Sequence, residues 1–489
     1  MGQTRADGVQ GMSLRSLAAL VGALTLVVSV GARQSPDRSK APELGATPAL
    51  KLPPIQKRIL SNGLPVWVVE MHEVPVADLT LIIRASTAAD PAGKFGLANL
   101  TAAMLTEGAG ARSALDLADA VDFLGATLRT SGGHDGSSVR LHVPIMKLDE
   151  ALPLMADVAL RPTFAQTELD RVRKSRVTAI AQARDDPTSI ASLGFSRLLY
   201  GTMHRYGTSP GGTESSLGAM TVADLRRFHA TFYQPSNAHL LVVGDITAAV
   251  VLPKLEKAFG LWKNTAPAPQ PVLPAAIQHG PRQIYLVDKP GAAQSQIRIG
   301  WIGVARSTPD YFVLEVLNTL LGGSFTSRLN QNLREQHGYA YGASSVFDMR
   351  SAAGPFVAAA GVQTDKTAES LHEFFKELDG VHQPVPAEEL TREKNLVALG
   401  FPGTFETTSG MAGHLADLVI YGLPETLFND YVPKIQAVTA ADVERAAKQY
   451  LQTDRFAVVV VGDLAKIERP IRDANLAPVK IVTLDEIMK

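Results

Sequence analysis

The chain has 489 residues, 46% hydrophobic and 19% charged, with a net charge of -1. That length and composition exclude a disordered chain and point to two or more domains, while the near-neutral balance gives no support for a nucleic-acid partner, which favours a basic face. There is no cysteine, so disulfides, thiolate zinc sites and a cysteine nucleophile are excluded.

At the N-terminus, Arg15 precedes the apolar run Leu17 to Val30, and Gly31-Ala32 follows. A positive residue, a short apolar core and a small-residue ending have the form of a signal peptide over residues 1–32. The run is shorter than the ~20 residues a membrane span needs. The expected location is the periplasm or the exterior, with no stable membrane span after cleavage and a membrane anchor if the segment stays uncleaved. Met1 or Met12 is the start. Residues 33–52 read as a flexible tether.

A first domain is expected over 53–262. It opens with the hairpin IQKRIL-SNG-LPVWVVE, whose turn carries Asn-Gly. DLTLIIRAS is a further strand, and helices follow over 96–106 and 114–124. ATLRTSGG and GSSVRLHVPI form a second hairpin, and a run of helices covers about 147 to 200. Residues 263–283, KNTAPAPQPVLPAAIQHGPRQ, are rich in proline and alanine and read as a linker. A second domain over 284–470 repeats the plan, with strands RQIYLVDK and QIRIGWIG and a helix from Asp310 to Leu321. Residues 471–489 read as a C-terminal tail.

The repetition is explicit in two blocks. MTVADLRRFHATFYQPSNAHLLVVGDI begins at 220, and VTAADVERAAKQYLQTDRFAVVVVGDL begins at 438. Thr221 matches Thr439, Asp224 matches Asp442 and Gly244-Asp245 matches Gly462-Asp463, always 218 residues apart. Each block reads as a threonine N-cap, an amphipathic helix, an apolar strand and a Gly-Asp stop. One fixed offset implies duplication of a domain of about 200 residues. The fold class is α+β: two homologous sandwich-like domains of sheet and helices, arranged as a clamshell.

Two long stretches carry a family pattern. HRYGTSPGGTESSLGAMTVADLRRFHATFYQPSNAHLLVVGD covers 204–245, and LLGGSFTSRLNQNLREQHGYAYGASS covers 320–345. With the order of the two halves, they resemble the insulinase/pitrilysin family of zinc peptidases, in its form with two domains per chain. In active members a first-half helix reads His-x-x-Glu-His. Its two histidines bind zinc from one helix face, and its glutamate is the general base. In the family frame this motif falls on NLTAA, so Asn99 and Ala103 stand at the histidine positions and Ala102 at the glutamate. The third ligand of the family falls on Ala179, in RVTAIAQARDDP. None of the 11 histidines lies three to five residues from another, so neither the motif nor its inverse occurs elsewhere. His134 and His142 are expected to share a hairpin face in structural roles, and His204 and His229 to be polar surface or cap residues. Alanine neither coordinates a metal nor accepts a proton, so no catalytic residue and no metal are assigned to this chain. A different, serine-based hydrolytic site finds no support.

The second half keeps more. In LREQHGYAYG, Arg334 is expected near the end of a helix starting around Thr326, with Tyr341 on the strand after Gly338. In active members an arginine and a tyrosine at this spacing hydrogen-bond the substrate backbone. By themselves the two also suit a helix C-terminus and simple packing. The family frame favours Tyr341 over Tyr339. Gly322-Gly323 suits either a close backbone approach or a helix C-cap. The resemblance implies a dimer in which a zinc-bearing insulinase-family subunit supplies the metal and this chain supplies Arg334 and Tyr341 to an unfolded or extended peptide. A catalytically inert structural or peptide-binding protein on the same fold is the alternative.

Overall fold

The computed structural model describes residues 39, 50–278 and 280–488. The expected signal peptide, most of the tether and His279 lie outside the described residues. The described residues from 50 onward form one compact unit.

Its frame is a pair of six-stranded sheets. The first contains β1 (Gln56–Ile59), β2 (Pro65–Glu70), β3 (Val76–Ile83), β4 (Thr127–Gly132), β5 (Ser137–Pro144) and β6 (Ala238–Gly244), in the order β1-β2-β6-β3-β5-β4. The second contains β7 (Gln283–Asp288), β8 (Gln294–Ile302), β9 (Ala340–Phe347), β10 (Pro355–Gln363), β11 (Ala457–Gly462) and β12 (Val479–Val482), in the order β12-β7-β11-β8-β10-β9. The duplication predicted from sequence is visible in this order. The two VVG-ending strands, β6 and β11, occupy equivalent central places, each parallel to one neighbour and antiparallel to the other. The helices that precede them start alike. Thr221 and Thr439 each close a capping box, with Asp224 and Asp442 returning the bond.

Side chains alternate along a strand, so a strand covered on both faces is apolar throughout. Every residue of β6 and β11 is buried. Leu240 and Val242 of β6 point into the first-half core, while Leu241 and Val243 join the core that contains Met411 and Leu415. Those last two belong to the second-half helix Thr408–Tyr421, which lies on β3 and β6. The converse holds on the other side. The first-half helix Pro187–Tyr200 lies on β8 and β11, where Ile190 and Phe195 meet Val459 and Val461. Each half lends one helix to the sheet of the other.

Residues 471–489, expected as a tail, are built into the fold. Helix Leu464–Asp473 ends there, β12 pairs in parallel with β7, and the short helix Leu484–Met488 buries Ile487 against Gly194 of the first half. A four-residue strand beyond the repeated block leaves too short a pattern to be read as a strand. The described residues of the linker run 263–282 carry no regular element but are packed down: Gln278 donates to the Ile302 carbonyl and His204 Nε2 to that of Pro274.

Candidate functional site

The first-half helix Leu97–Met104 begins at Gly96, whose φ of 95° belongs to the left-handed region. A Cβ there would lie 2.6 Å from Gly212 N, so only glycine permits this approach. Asp90 ties down the helix start by accepting from Gly96 N (2.7 Å) and Ala98 N (2.8 Å). Burial pushes its carboxyl up to about 7 despite those two donors.

Asn99, Ala102 and Ala103 fall on this helix and Ala179 on the neighbouring helix Gln166–Ala183. The two helices touch: Arg176, one turn before Ala179, reaches from the second to the Asn99 carbonyl (Nη2, 3.4 Å). The Asn99 amide donates to the Gly132 carbonyl at 2.6 Å and so holds the helix to the edge strand β4. The four positions do not fit zinc. Three are methyl groups, the fourth is committed to the backbone, and Arg176 brings a cation to the same place. Ala102, expected at the general-base position, is fully buried. Among the described residues no three His, Asp or Glu side chains are grouped so as to hold a metal ion.

The histidines are separate. His134 Nδ1 meets Thr87 (3.2 Å) and His142 Nδ1 meets Asp78 (3.0 Å). His204 and His229, expected as polar surface or cap residues, are largely enclosed, and the cap role is the one His204 takes. His204 caps a turn by accepting from Tyr206 N, and His229 Nε2 meets the Ala159 carbonyl. Residues 207–211, GTSPG, match the Gly-x-Ser-x-Gly form of serine hydrolases, which corrects the expectation that no such motif occurs. They lie in a loop rather than a strand-to-helix elbow. Ser209 Oγ accepts from Gly211 N, and both ring nitrogens of His204 are engaged elsewhere.

The second-half residues come together. The helical stretch starts at Arg328, two residues later than expected, and widens into a π-helical turn over Gln331–Gln336. Gly338, at φ +65°, turns the chain into β9. The Arg334 guanidinium carbon then lies 5.2 Å from the Tyr341 ring centre and 4.6 Å from that of Phe325. Tyr341 is 87% exposed and Phe325 61%, so the cation stands between two rings open to solvent. Arg334 also pairs with its neighbour Glu335 at 3.2 Å. Asn330 fixes both sides of the cluster: its amide donates to the Phe325 carbonyl (2.7 Å) and its oxygen accepts from Ala343 N (3.3 Å). Gly322 passes under the same strand, where a Cβ would lie 2.3 Å from Ser345 N. Of the two readings of this glycine pair, the close approach is the one realised at Gly322. Sequence reasoning missed Phe325 and Asn330. The signal available was an aromatic directly after GGS inside the family-like stretch.

β9 is the edge of its sheet and pairs only with β10 among the described residues. Its outward backbone groups and the Arg334 cluster therefore share one rim.

Comparison with known proteins decides the family. The profile described as insulinase (peptidase family M16) matches residues 66–198, and that described as peptidase M16 inactive domain matches residues 219–397. The chain belongs to the insulinase family. It is an inactive-type member, and the helix carrying Asn99, Ala102 and Ala103 lies within the first match. A Mycobacterium leprae protein described as an uncharacterized zinc protease is 29% identical over 59% of this chain and 65% of its own length. A Streptomyces coelicolor protein with the same description is 26% identical over 74% of this chain and 79% of that one. The crystal structure of a peptidase M16 inactive domain from Pseudomonas fluorescens superposes with a TM-score of 0.78 and 26% identity, over 84% of this insulinase-family chain and 98% of that one. No described helix is long and apolar enough to cross a membrane.

Proposed function

We propose that this chain is the non-catalytic, substrate-binding subunit of a heterodimeric insulinase-family metallopeptidase, exported to the periplasm or beyond. One contrast carries the reading. The expected metal-binding positions are chemically blank, while a half-buried Arg334 stands beside the exposed ring of Tyr341. A helix that had lost its site with no other demand on the fold gives no reason to keep a cation between two exposed rings.

In this reading the zinc and its activated water belong to the partner subunit, and this chain binds and orients the peptide. The Arg334 guanidinium and the Tyr341 hydroxyl donate to backbone carbonyls of an extended peptide. The aromatic faces of Phe325 and Tyr341 cover its side chains without demanding a sequence. The peptide must be unfolded, because an added strand pairs through its whole backbone.

The test mixes the purified chain with a zinc-bearing relative from the same source. Zinc-dependent peptide cleavage should appear only in the mixture. Arg334→Ala should reduce kcat/KM of the mixture about tenfold, which is ~1.4 kcal/mol of transition-state binding. Full activity of the zinc subunit without this chain would defeat the proposal. Peptide binding without turnover in every pairing would favour the inert alternative.

A further inference from the structure

Beside the blank metal positions lies a cavity of about 270 Å³. Its walls come from helices Gln166–Ala183 and Pro187–Tyr200, the loop around Gly211, and the short helix Leu484–Met488. Ala179, Ile180, Leu193, Ile487 and Met488 make much of it apolar. Two charged side chains also line it, Arg176 and Arg197, and both are cations.

Neither cation is compensated. Arg176 Nη1 and Arg197 Nε are buried with no hydrogen-bond partner, and neither arginine forms an ion pair among the described residues. Burial alone lowers the pKa of each guanidinium, with no opposing charge among the causes. The nearby acids are engaged elsewhere: Asp485 pairs with Arg184, and Asp186 caps its own helix through Thr188 N and Ser189 N. The other polar groups of the wall are also used. Gly211 N donates to Ser209 Oγ, Gly212 N to the Ser209 carbonyl, and Thr213 Oγ1 accepts from Ser216 N. Two guanidinium edges in an apolar cavity form a costly arrangement unless an anion meets them.

We infer that this cavity is a binding site for a carboxylate carrying a compact apolar tail, with Arg176 and Arg197 as the carboxylate clamp. A planar fork of N–H donors suits a carboxylate, and the alkyl wall suits a short aliphatic group behind it. The C-terminal carboxylate of a short peptide and a free medium-chain fatty acid share this chemistry. The inference stands on the cavity itself and is independent of any zinc-bearing partner.

Calorimetry on the full chain tests it with two pairs of probes: the tripeptide Ala-Ala-Leu as free acid and as amide, and octanoate against octanol. At least one acid should bind ten times or more tighter than its uncharged counterpart. Preference for the tripeptide acid assigns the site to peptide C-termini, and preference for octanoate assigns it to fatty acids. Arg197→Gln should weaken the bound acid at least tenfold. Ala179→Glu offers a carboxylate from the chain itself, one turn from Arg176 at a solvent-exposed helical position, and should compete the ligand away while leaving the melting temperature near that of the parent. Equal binding of acids and uncharged counterparts, no binding of either acid, or full affinity in the folded Ala179→Glu variant would overturn the inference.

Discussion

His134, half-buried, and His239, buried, are held as neutral rings. Burial pushes both down to about 4, with the positive charge of Arg350 adding to the effect at His134 and that of Arg84 and Lys57 at His239. His239 stands edge-on to the Trp67 ring at 4.6 Å, and its Nε2 has no hydrogen-bond partner. A histidine held below its unfolded value near 6.5 makes the unfolded chain the better proton acceptor between the two values. Its contribution is therefore complete above about pH 6.5 and is lost as pH falls toward 4. Each tenfold difference in proton affinity is worth about 1.4 kcal/mol, so one such ring accounts for about 3 kcal/mol across that window. Asp90 acts in the opposite sense. Its carboxyl, raised to about 7, favours the fold below the ordinary carboxylate value, and that advantage disappears as pH rises through 7. Two rings outweigh one carboxyl, so stability should climb from pH 4 to 6.5. His239→Phe keeps the ring contact and removes the titration. It should reduce the loss of stability between pH 6.5 and 4 by about 3 kcal/mol, read from urea midpoints at both pH values. An unchanged difference would show that this ring is not held neutral.

At the scale of elements, the parts visible in the sequence are those whose causes are local. The Thr-x-x-Asp boxes at 221 and 439, the Asn-Gly hairpin and the all-apolar VVG strands each carry their signal within a dozen residues. That Asn99, Ala102 and Ala103 offer a metal nothing but one amide oxygen follows from the residue types and needs no coordinates. Phe325 was not legible, since one aromatic in a loop resembles any surface phenylalanine until Arg334 and Tyr341 are placed around it. The role of Gly322 depends equally on a distant strand. Its place under Ser345 means that a side chain there must lift β9, the strand that carries Tyr341. Gly322→Val should cost about 2–3 kcal/mol of stability by overpacking and weaken peptide binding along with it. Gly218 faces open space in a helix, so Gly218→Ala provides the control and should be neutral or slightly stabilising. Equal melting temperatures for Gly322→Val and the parent would show that β9 yields freely.

On the scale of the molecule, the exchanged helices were invisible in the sequence because nothing within Pro187–Tyr200 or Thr408–Tyr421 says which sheet each will cover. The apolar runs of β6 and β11 demand a cover on both faces, but the cover comes from residues some 170 to 270 positions away. Asp78 of β3 marks one docking point. It accepts from Thr408 Oγ1 at 2.5 Å and Ser409 Oγ at 2.9 Å, both in the first turn of the incoming helix, and meets His142 Nδ1 at 3.0 Å. A carboxylate at a helix N-terminus also opposes the positive end of the helix dipole. Asp78→Ala would leave the buried Thr408 hydroxyl without its acceptor, at a cost of about 1–3 kcal/mol in the urea midpoint stability. The larger consequence concerns the halves themselves. A fragment of residues 50–262 lacks the Thr408–Tyr421 helix and exposes the face of Val69, Ile82, Leu241 and Val243. A fragment of residues 283–488 lacks the Pro187–Tyr200 helix and exposes Val287, Val459 and Val461. Apolar faces of that extent drive association, so each fragment made alone should aggregate or fail to unfold cooperatively, and the two refolded together should regain a cooperative transition. Cooperative unfolding of either fragment by itself, followed by circular dichroism in urea, would show that each sheet is stable without the helix it borrows.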